Sequence, residues 1–492
     1  MLNIIDRVFD FFSPETANKR LRARMANDML SRQYDAGGRG RRWAGRKASK
    51  ASAEAEVGTQ KNLLRFRSRE LIRNSPEAAN AVSTWVSNVV GDGIRGKIQD
   101  NLLRNAWLEW TRSRQSDFFG EMTFAQIQQL VANTVAESGS ALILRVRSNE
   151  NNLAVPFRLQ VLEPDFINQE RELTLRNGNE IRYGIEYDRV GRKVAYHLYE
   201  THPGNLVSLK GWNRSTRRVP ASEVAHIFHK TRPGQHDGVP LLTPVMLRMR
   251  DYDDYEDAQL VRQKIAACFV GFVLDQDGPV NSSASTEDQQ PISEKFEPGA
   301  WEPLPPGKDI KFASPPGVGQ DYEAYSRRQL MRMASGVGLT YEQLTGDYSQ
   351  TNFTSGRMGK LEFQAKLTQW QYQMMVPMML EKVWDWFVEG AELAGLTNDA
   401  TSLIHDWTAP APQLIDPSRE VKAYRDAVRS GFKSISEVVR EMGFDPDRVR
   451  EELAQDRDAT DSLSLKLDSI PSHTTTAGIL QLDQEDSESE GD

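Results

Sequence analysis

Apolar residues recur every three to four positions over most of this chain and every second position in its middle, which predicts helical blocks on either side of a block of strands. In RNSPEAANAVSTWVSNVVGDG, Ala78, Val82, Trp85, Val86 and Val89 fall on one helical face. Ser75 suits a cap, Pro76 the first helical position, and Gly91 a stop. NLLRNAWLEW and TFAQIQQLVANTVAES continue as an amphipathic pair, the second capped by Thr123. Then the period shortens. ALILRVR (141–147), PFRLQVL (156–162), EIRYGIEYD (180–188), KVAYHLYE (193–200) and EVAHIFH (223–229) are short, β-branched or aromatic, and separated by turn signals such as RNGN and DRVGR. This block predicts a mostly antiparallel sheet, so the fold class is α+β.

In the third block, Thr243 and Pro244 predict a cap and first turn for a helix running to about residue 268, about 40 Å long at the helical rise per residue. Residues 275–317 are rich in Pro, Gly, Ser and acids, and leave room only for short strands around GFVL, WEPL and IKFA. Helical spacing resumes in QDYEAYSRRQLMRMASGVG, breaks at the polar stretch GDYSQTNFTSGRM (346–358), and returns in LEFQAKLTQWQYQMMVPMMLEKVWDWF (361–387). There Phe363, Leu367, Trp370, Met374 and Met378 make an apolar stripe, and Pro377 predicts a kink because it lacks a backbone donor. Three short helices follow, announced by Asp416-Pro417, the capping box SISE at 434–437, and Asp445-Pro446. From about residue 457 the chain reads as a disordered acidic tail.

A length of 492 residues predicts two to four domains, and 39% hydrophobic with 26% charged residues is a globular balance. The longest apolar run, AACFVGFVL at 266–274, falls far short of a membrane span. MLNIIDRVFDFF carries acids within its apolar stretch and predicts a short amphipathic helix rather than a secretory signal. The single cysteine, Cys268, excludes an internal disulfide framework and a cysteine zinc site, fits a reducing cytoplasm, and reads as a small core residue. The net charge of −8 conceals opposite ends: residues 1–73 hold 17 Lys and Arg against 8 Asp and Glu, and residues 451–492 hold 2 against 12. The arm GGRGRRWAGRKASKASA contributes Arg39, Arg41, Arg42, Arg46, Lys47 and Lys50 with no acid. It reads either as solvated or as ordering on nucleic acid or an acidic partner.

Reactive constellations are scarce. GRMGK (356–360) lacks the spacing and the following Ser or Thr of a phosphate loop. DYDDYED (251–257) raises a magnesium site of the nuclease kind, but on a helix Asp253 and Asp257 share a face while Asp251 and Glu256 point elsewhere. Arg250 four residues before Asp254 offers ordinary ion pairing. His226 and His229, at odd spacing in a strand, point to opposite sides, and His236 does not repair the geometry. No catalytic set, metal or cofactor emerges. Two alternatives stay open at this level: a metal-dependent nucleic-acid-processing enzyme using the 251–257 acids, and a DNA-binding module built on the basic arm.

Four ordered stretches resemble the lambda-type family of tailed-phage portal proteins: LLRFRSRELIRNSPEAANAVSTWVSNVVGDGI (63–94), HKTRPGQHDGVPLLTPVMLRMRDYDDYEDAQLVRQKIAACFVGFV (229–273), DYEAYSRRQLMRMASGVGLTYEQLTGDYSQTNFTSGRMGKLEFQ (321–364) and IDPSREVKAYRDAVRSGFKSISEVVREMGFDPDRV (415–449). The resemblance implies a non-enzymatic homo-oligomeric ring, typically a dodecamer, at one capsid vertex of the virion, assembled in the host cytoplasm, with double-stranded DNA passing sequence-independently through its channel. It further implies docking of the terminase large subunit, contact with major capsid and scaffold proteins and with head-completion or tail adaptor proteins, and no membrane. Carried onto this chain, residues 1–60 are a basic arm, 61–240 a wing, 241–268 and 320–340 two stem helices, and 269–319 a clip. Residues 345–357 are a channel loop, 358–392 a kinked helix, 393–456 a crown, and 457–492 the tail. The channel loop would offer Tyr348, Gln350, Asn352, Phe353, Thr354, Ser355 and Arg357 to the DNA backbone. Asp253, Asp254 and Asp257 would line the channel and repel DNA, because tight binding through many phosphates stalls a conduit.

Overall fold

In the computed structural model the described residues are 52–463 and 465, apart from 59, 149, 151–152, 206–214, 268–270, 276–307, 313–321, 398–404, 411–415 and 445. The basic-arm residues 39–50, the expected N-terminal helix, Cys268, the WEPL segment and the acidic tail beyond 465 lie outside them. Residues from Val57 onward form one contact unit.

Helices α1 (Ala53–Gly58), α2 (Lys61–Asn74) and α3 (Pro76–Val90) open the described chain. In α3 the expected face is buried at Ala78, Val82, Trp85 and Val89, with Val86 packed at its margin. Pro76 occupies the first turn, and Gly91 stops the helix at φ +51°. Strand β1 (Arg95–Ile98) precedes α4 (Asn101–Arg112), whose cap Asp100 accepts from the Leu103 N–H at 2.8 Å. Helix α5 (Phe124–Ser138) starts at Thr123, whose N–H donates to Gln126 Oε1 at 2.9 Å.

The strand block is antiparallel as expected but forms two sheets rather than one. Strands β2 (Ser140–Arg147), β3 (Phe157–Leu162) and β9 (Val224–Phe228) pair in the order β3-β2-β9. A second sheet runs β4 (Leu173–Thr174), β5 (Glu180–Arg182), β6 (Ile185–Tyr187), β7 (Lys193–Tyr199), β8 (Thr216–Pro220). EIRYGIEYD is not one strand: Tyr183 (φ +47°) and Gly184 (φ +78°) form a two-residue turn between β5 and β6. The sheets share a small core of Leu142, Leu144, Ile185, Tyr187, Tyr196 and Leu198.

Helix α6 (Met246–Ala267) begins later than expected. The Thr243 N–H and hydroxyl both donate to the Pro240 carbonyl, at 3.1 and 2.7 Å, so residues 241–245 are spent on turns, and the 22 helical residues span about 33 Å. Strands β10 (Gly271–Asp275) and β11 (Lys308–Phe312) pair antiparallel and bring together the ends of the Pro- and Gly-rich excursion. Helix α7 (Tyr322–Val337) then runs back along α6. Arg248 Nη1 donates to Gln329 Oε1 at 2.6 Å, Ser326 Oγ donates to Glu256 Oε1 at 3.2 Å, and the Tyr322 hydroxyl donates to Glu256 Oε2. Antiparallel pairing is the expected relation of two arms joined by an excursion whose ends β10 and β11 bring together.

After α8 (Tyr341–Thr345) and α9 (Phe353–Trp370), the chain continues without a break through a π-helical segment, Gln371–Leu380, into α10 (Glu381–Leu393). Pro377 lies inside the π segment, which accommodates its missing N–H by widening the turn. The widening also moves the apolar stripe. From Trp370 and Met374 the buried positions step by five, to Met375 and Met379, while the expected Met378 is only partly covered. Strand β12 (His405–Thr408) pairs with β1 and sets Trp407 beside Trp107, 6.0 Å between centroids, in a core shared with Trp110, Trp384 and Phe387. Helices α11 (Pro417–Arg429), α12 (Ile435–Glu441) and α13 (Pro446–Ser462) follow, the last extending past residue 457. Asp416 caps α11, Ser434 caps α12 by accepting from the Glu437 N–H at 3.1 Å, and Lys97 on β1 pairs with Asp447 on α13 at 2.7 Å.

Candidate nucleic-acid interface

The polar stretch that interrupts the helices is shorter than its composition suggests. Helix α8 ends at Gly346 in the left-handed conformation (φ +73°), and α9 begins at Phe353, so the loop is 346–352 rather than 345–357. Asn352 is the cap: its Oδ1 accepts from the Ser355 N–H at 2.8 Å, its own N–H donates to Ser355 Oγ at 3.2 Å, and that hydroxyl donates to the Asn352 carbonyl at 3.0 Å. Two of the expected contact residues therefore spend their polar atoms on the helix start. Phe353, Thr354, Ser355 and Arg357 belong to the first turns of α9, not to the loop.

What remains outward is consistent along the stretch. Tyr348 and Phe353 are 63% and 53% exposed, so neither is a core residue, and Gln350, Thr354 and Arg357 are exposed as well. Arg357 makes no ion pair among the described residues, and the amino end of an 18-residue helix adds partial positive charge beside it.

The ends of the loop are held firmly. Asp347 accepts from the Ser349 N–H at 3.0 Å and from the Tyr341 hydroxyl at 3.2 Å, and lies 3.8 Å from Arg327 Nη1 of α7. Its hydrogen bonds with Ser349, first of all, hold its carboxyl below the usual range. The Arg327 guanidinium lies 4.6 Å over the Tyr341 ring. At the far end the Thr351 hydroxyl donates to Glu342 Oε1 at 3.0 Å. Beneath, Asn80 Nδ2 donates to the Gln343 and Leu344 carbonyls at 2.9 and 2.7 Å, which satisfies the carboxyl end of α8 from α3. Trp85 stacks on Trp370 (4.9 Å), meets Phe363 edge-on (5.3 Å), and donates from Nε1 to the Val337 carbonyl at 3.0 Å, tying α3, α7 and α9 together. Sequence reasoning missed Arg327, Tyr341 and Asn80; only the T-x-x-Q box at Thr340 and Gln343, a true cap pair, hinted that α8 exists.

The acids of α6 separate by depth. Asp254 and Asp257 are exposed, whereas Asp253 is half-buried. Burial first, and then the neighbouring charges of Glu77, Asp254, Asp257 and Glu70, push the Asp253 carboxyl up to about 6. Glu256 faces α7 instead, and Arg250 makes no ion pair with Asp254. These groups do not converge on one point as metal ligands do.

His226 and His229 are packed within the fold. His226 is buried, its Nε2 3.4 Å from Asp237 Oδ1 and its Nδ1 3.1 Å from Lys193 Nζ; burial first, and Lys193 next, lower it to about 4. His229 stacks on Trp370 at 5.5 Å. One further cluster, Glu163, Asp165 and His202, has ligand spacing, but Arg69 already occupies it, 2.7 Å from Asp165 and 3.2 Å from Glu163.

The model of the family "Phage portal protein, lambda family" matches residues 39–371. The "Probable portal protein" of Halomonas phage phiHAP-1 is 24% identical over 437 residues, covering 84% of this chain and 83% of that protein. The "Portal protein" of Escherichia phage N15 is 22% identical and covers 65% and 68%, and "Portal protein B" of Escherichia phage lambda is 20% identical and covers 66% and 68%. Among solved structures, a chain from the neck of a native gene transfer agent particle is 14% identical, covers 77% and 93%, and superposes with a TM-score of 0.46. An HK97-family phage portal protein from Corynebacterium diphtheriae is 12% identical, covers 72% and 96%, with a TM-score of 0.33. The family match spans well over half of the chain, and the protein belongs to the lambda family of phage portal proteins.

Proposed function

We propose that copies of this chain close into a ring, a dodecamer as is typical of the family, at one capsid vertex of the virion. Double-stranded DNA passes through the ring during packaging and ejection. Residues 61–240 act as the wing, α6 and α7 as the stem, the segment between them as the clip, and residues 393–456 as the crown. In this reading the terminase large subunit and later the head-completion and tail adaptor proteins dock on the ring, which is assembled in the host cytoplasm among capsid and scaffold proteins. Portal proteins are structural components, and the metal-dependent enzyme reading is dropped.

The observation that carries the channel assignment is the loop 346–352, pinned at both ends while Tyr348 and Gln350 stand in solvent. Uncharged polar groups and one cation, Arg357, touch phosphate without holding it, and exposed Asp254 and Asp257 add repulsion. Sliding contact needs that balance. The test is DNA packaging by rings carrying Gln350→Ala, Thr354→Ala and Arg357→Glu together, which spare the Asn352 cap. Intact rings with a reduced yield or retention of DNA support the assignment; an unchanged yield rejects it.

A further inference from the structure

Beside the π segment, with no residue of the loop in its lining, a cavity of roughly 320 Å³ is walled by three lysines and no carboxylate. Lys193 comes from β7, Lys230 from just after β9, and Lys382 from α10. Phe228, Pro377 and Met378 supply an apolar part of the wall. Lys193 Nζ donates to the His236 carbonyl at 3.0 Å and lies 5.0 Å from the Phe228 ring centroid. Lys230 makes no close ion pair among the described residues, and Lys382 makes none either, acting only through space on Asp385 of its own helix.

The acid behind this wall is unavailable to the cavity. Asp237 is buried behind His226, its Oδ2 engaged by Lys61 Nζ at 3.0 Å and its Oδ1 by the Ser140 hydroxyl at 2.6 Å. His236 is lowered to about 4, by burial first and then by Lys193, Arg182 and Lys230, so both histidines on the wall are neutral near pH 7. The cavity is therefore cationic and partly apolar at once. A carboxylate flanked by aliphatic side chains satisfies both halves. A DNA backbone supplies the charge but no aliphatic group, and a duplex does not fold into a cavity of this size.

Such a segment stands in the chain itself. Residues 479–492, ILQLDQEDSESEGD, carry six acids and no base, with Ile479, Leu480 and Leu482 beside Asp483. We propose that the cavity bounded by Lys193, Lys230 and Lys382 is the docking site for the acidic C-terminal segment 479–492 of this protein, in the same or a neighbouring copy. Docked, the segment covers three lysines that would otherwise attract DNA. The proposal does not depend on the ring reading, and its test works on a ring or a single copy.

Zero-length carbodiimide coupling of the full-length protein, read by mass spectrometry, is expected to link Lys230 or Lys382 to carboxylates of Asp483–Asp492. In the variant Lys230→Glu with Lys382→Glu, cleavage of the tail by a glutamate-specific protease should speed up several-fold. Adding Asp483→Lys and Asp486→Lys to that variant should create links in the reverse sense, from the carboxylates introduced at positions 230 and 382 to the new tail amines. Links only to other lysines, or an unchanged cleavage rate, overturn the proposal. So does a Lys230 and Lys382 pair that added duplex DNA shields from acetylation while removal of residues 479–492 leaves their reactivity unchanged.

Discussion

Trp85 shows how much of the candidate interface depends on residues that never reach it. One indole contacts Trp370 and Phe363 and closes the end of α7 through the Val337 carbonyl. Trp85→Ala should cost about 3–5 kcal/mol in denaturant unfolding, because it removes both the packing and a donor. His226 gives the pH dependence. Its folded value of about 4 lies below the usual histidine range, so protonation favours the unfolded chain. The stability it contributes is fully present above about pH 6.5 and is lost as the pH falls toward about 4, on the order of 3 kcal/mol across that window. His226→Gln should flatten the fall in stability between pH 7 and pH 4.5, measured by urea unfolding at each pH; a slope equal to that of the parent protein refutes it.

At the scale of elements, the period of apolar residues and the caps were legible in advance. Pro76, Thr123, Asp416 and Ser434 mark helix starts where the structure has them, since a cap is a local hydrogen bond written into neighbouring residues. Three features departed from the reading, the first for a tertiary reason and the other two through local turn and cap signals at Tyr183-Gly184 and Asn352. The π segment arises where a continuous helix must carry Pro377 and keep its apolar side on the core, which shifts burial from Met378 to Met379. Two sheets replace one because β5 and β6 fold back at Tyr183-Gly184. The loop shortened because Asn352 caps α9 and draws Phe353–Arg357 into the helix. The last point is testable: Asn352→Ala should cost about 1 kcal/mol and speed hydrogen exchange in the first turn of α9, whereas Gln350→Ala should change neither. For the stem pair, Glu256→Ala removes both hydrogen bonds from α7 and should raise exchange over 322–330; unaltered exchange there means the helices do not depend on that contact.

At the scale of the molecule, acidic and basic residues are segregated along the chain. Asp251, Asp254 and Asp257 of α6 stand at its surface, the loop carries little positive charge, and the basic residues 39–50 are far along the sequence from both. Replacing Asp254 and Asp257 by Lys should raise affinity for duplex DNA and steepen its salt dependence by about 0.9 in log–log slope for each phosphate newly neutralised. An affinity that does not move would place these acids away from DNA. The portal family was legible in the order and spacing of four segments, while the anchoring of the loop by Arg327, Tyr341 and Asn80 was not, because those contacts join residues distant in sequence. The most direct test is an electron cryomicroscopy reconstruction of the purified full-length protein. The account predicts a closed ring in which residues 346–352 of every copy point into the axial opening, with α6 and α7 paired beside it; a monomer, or a ring with that loop on its outer circumference, contradicts it.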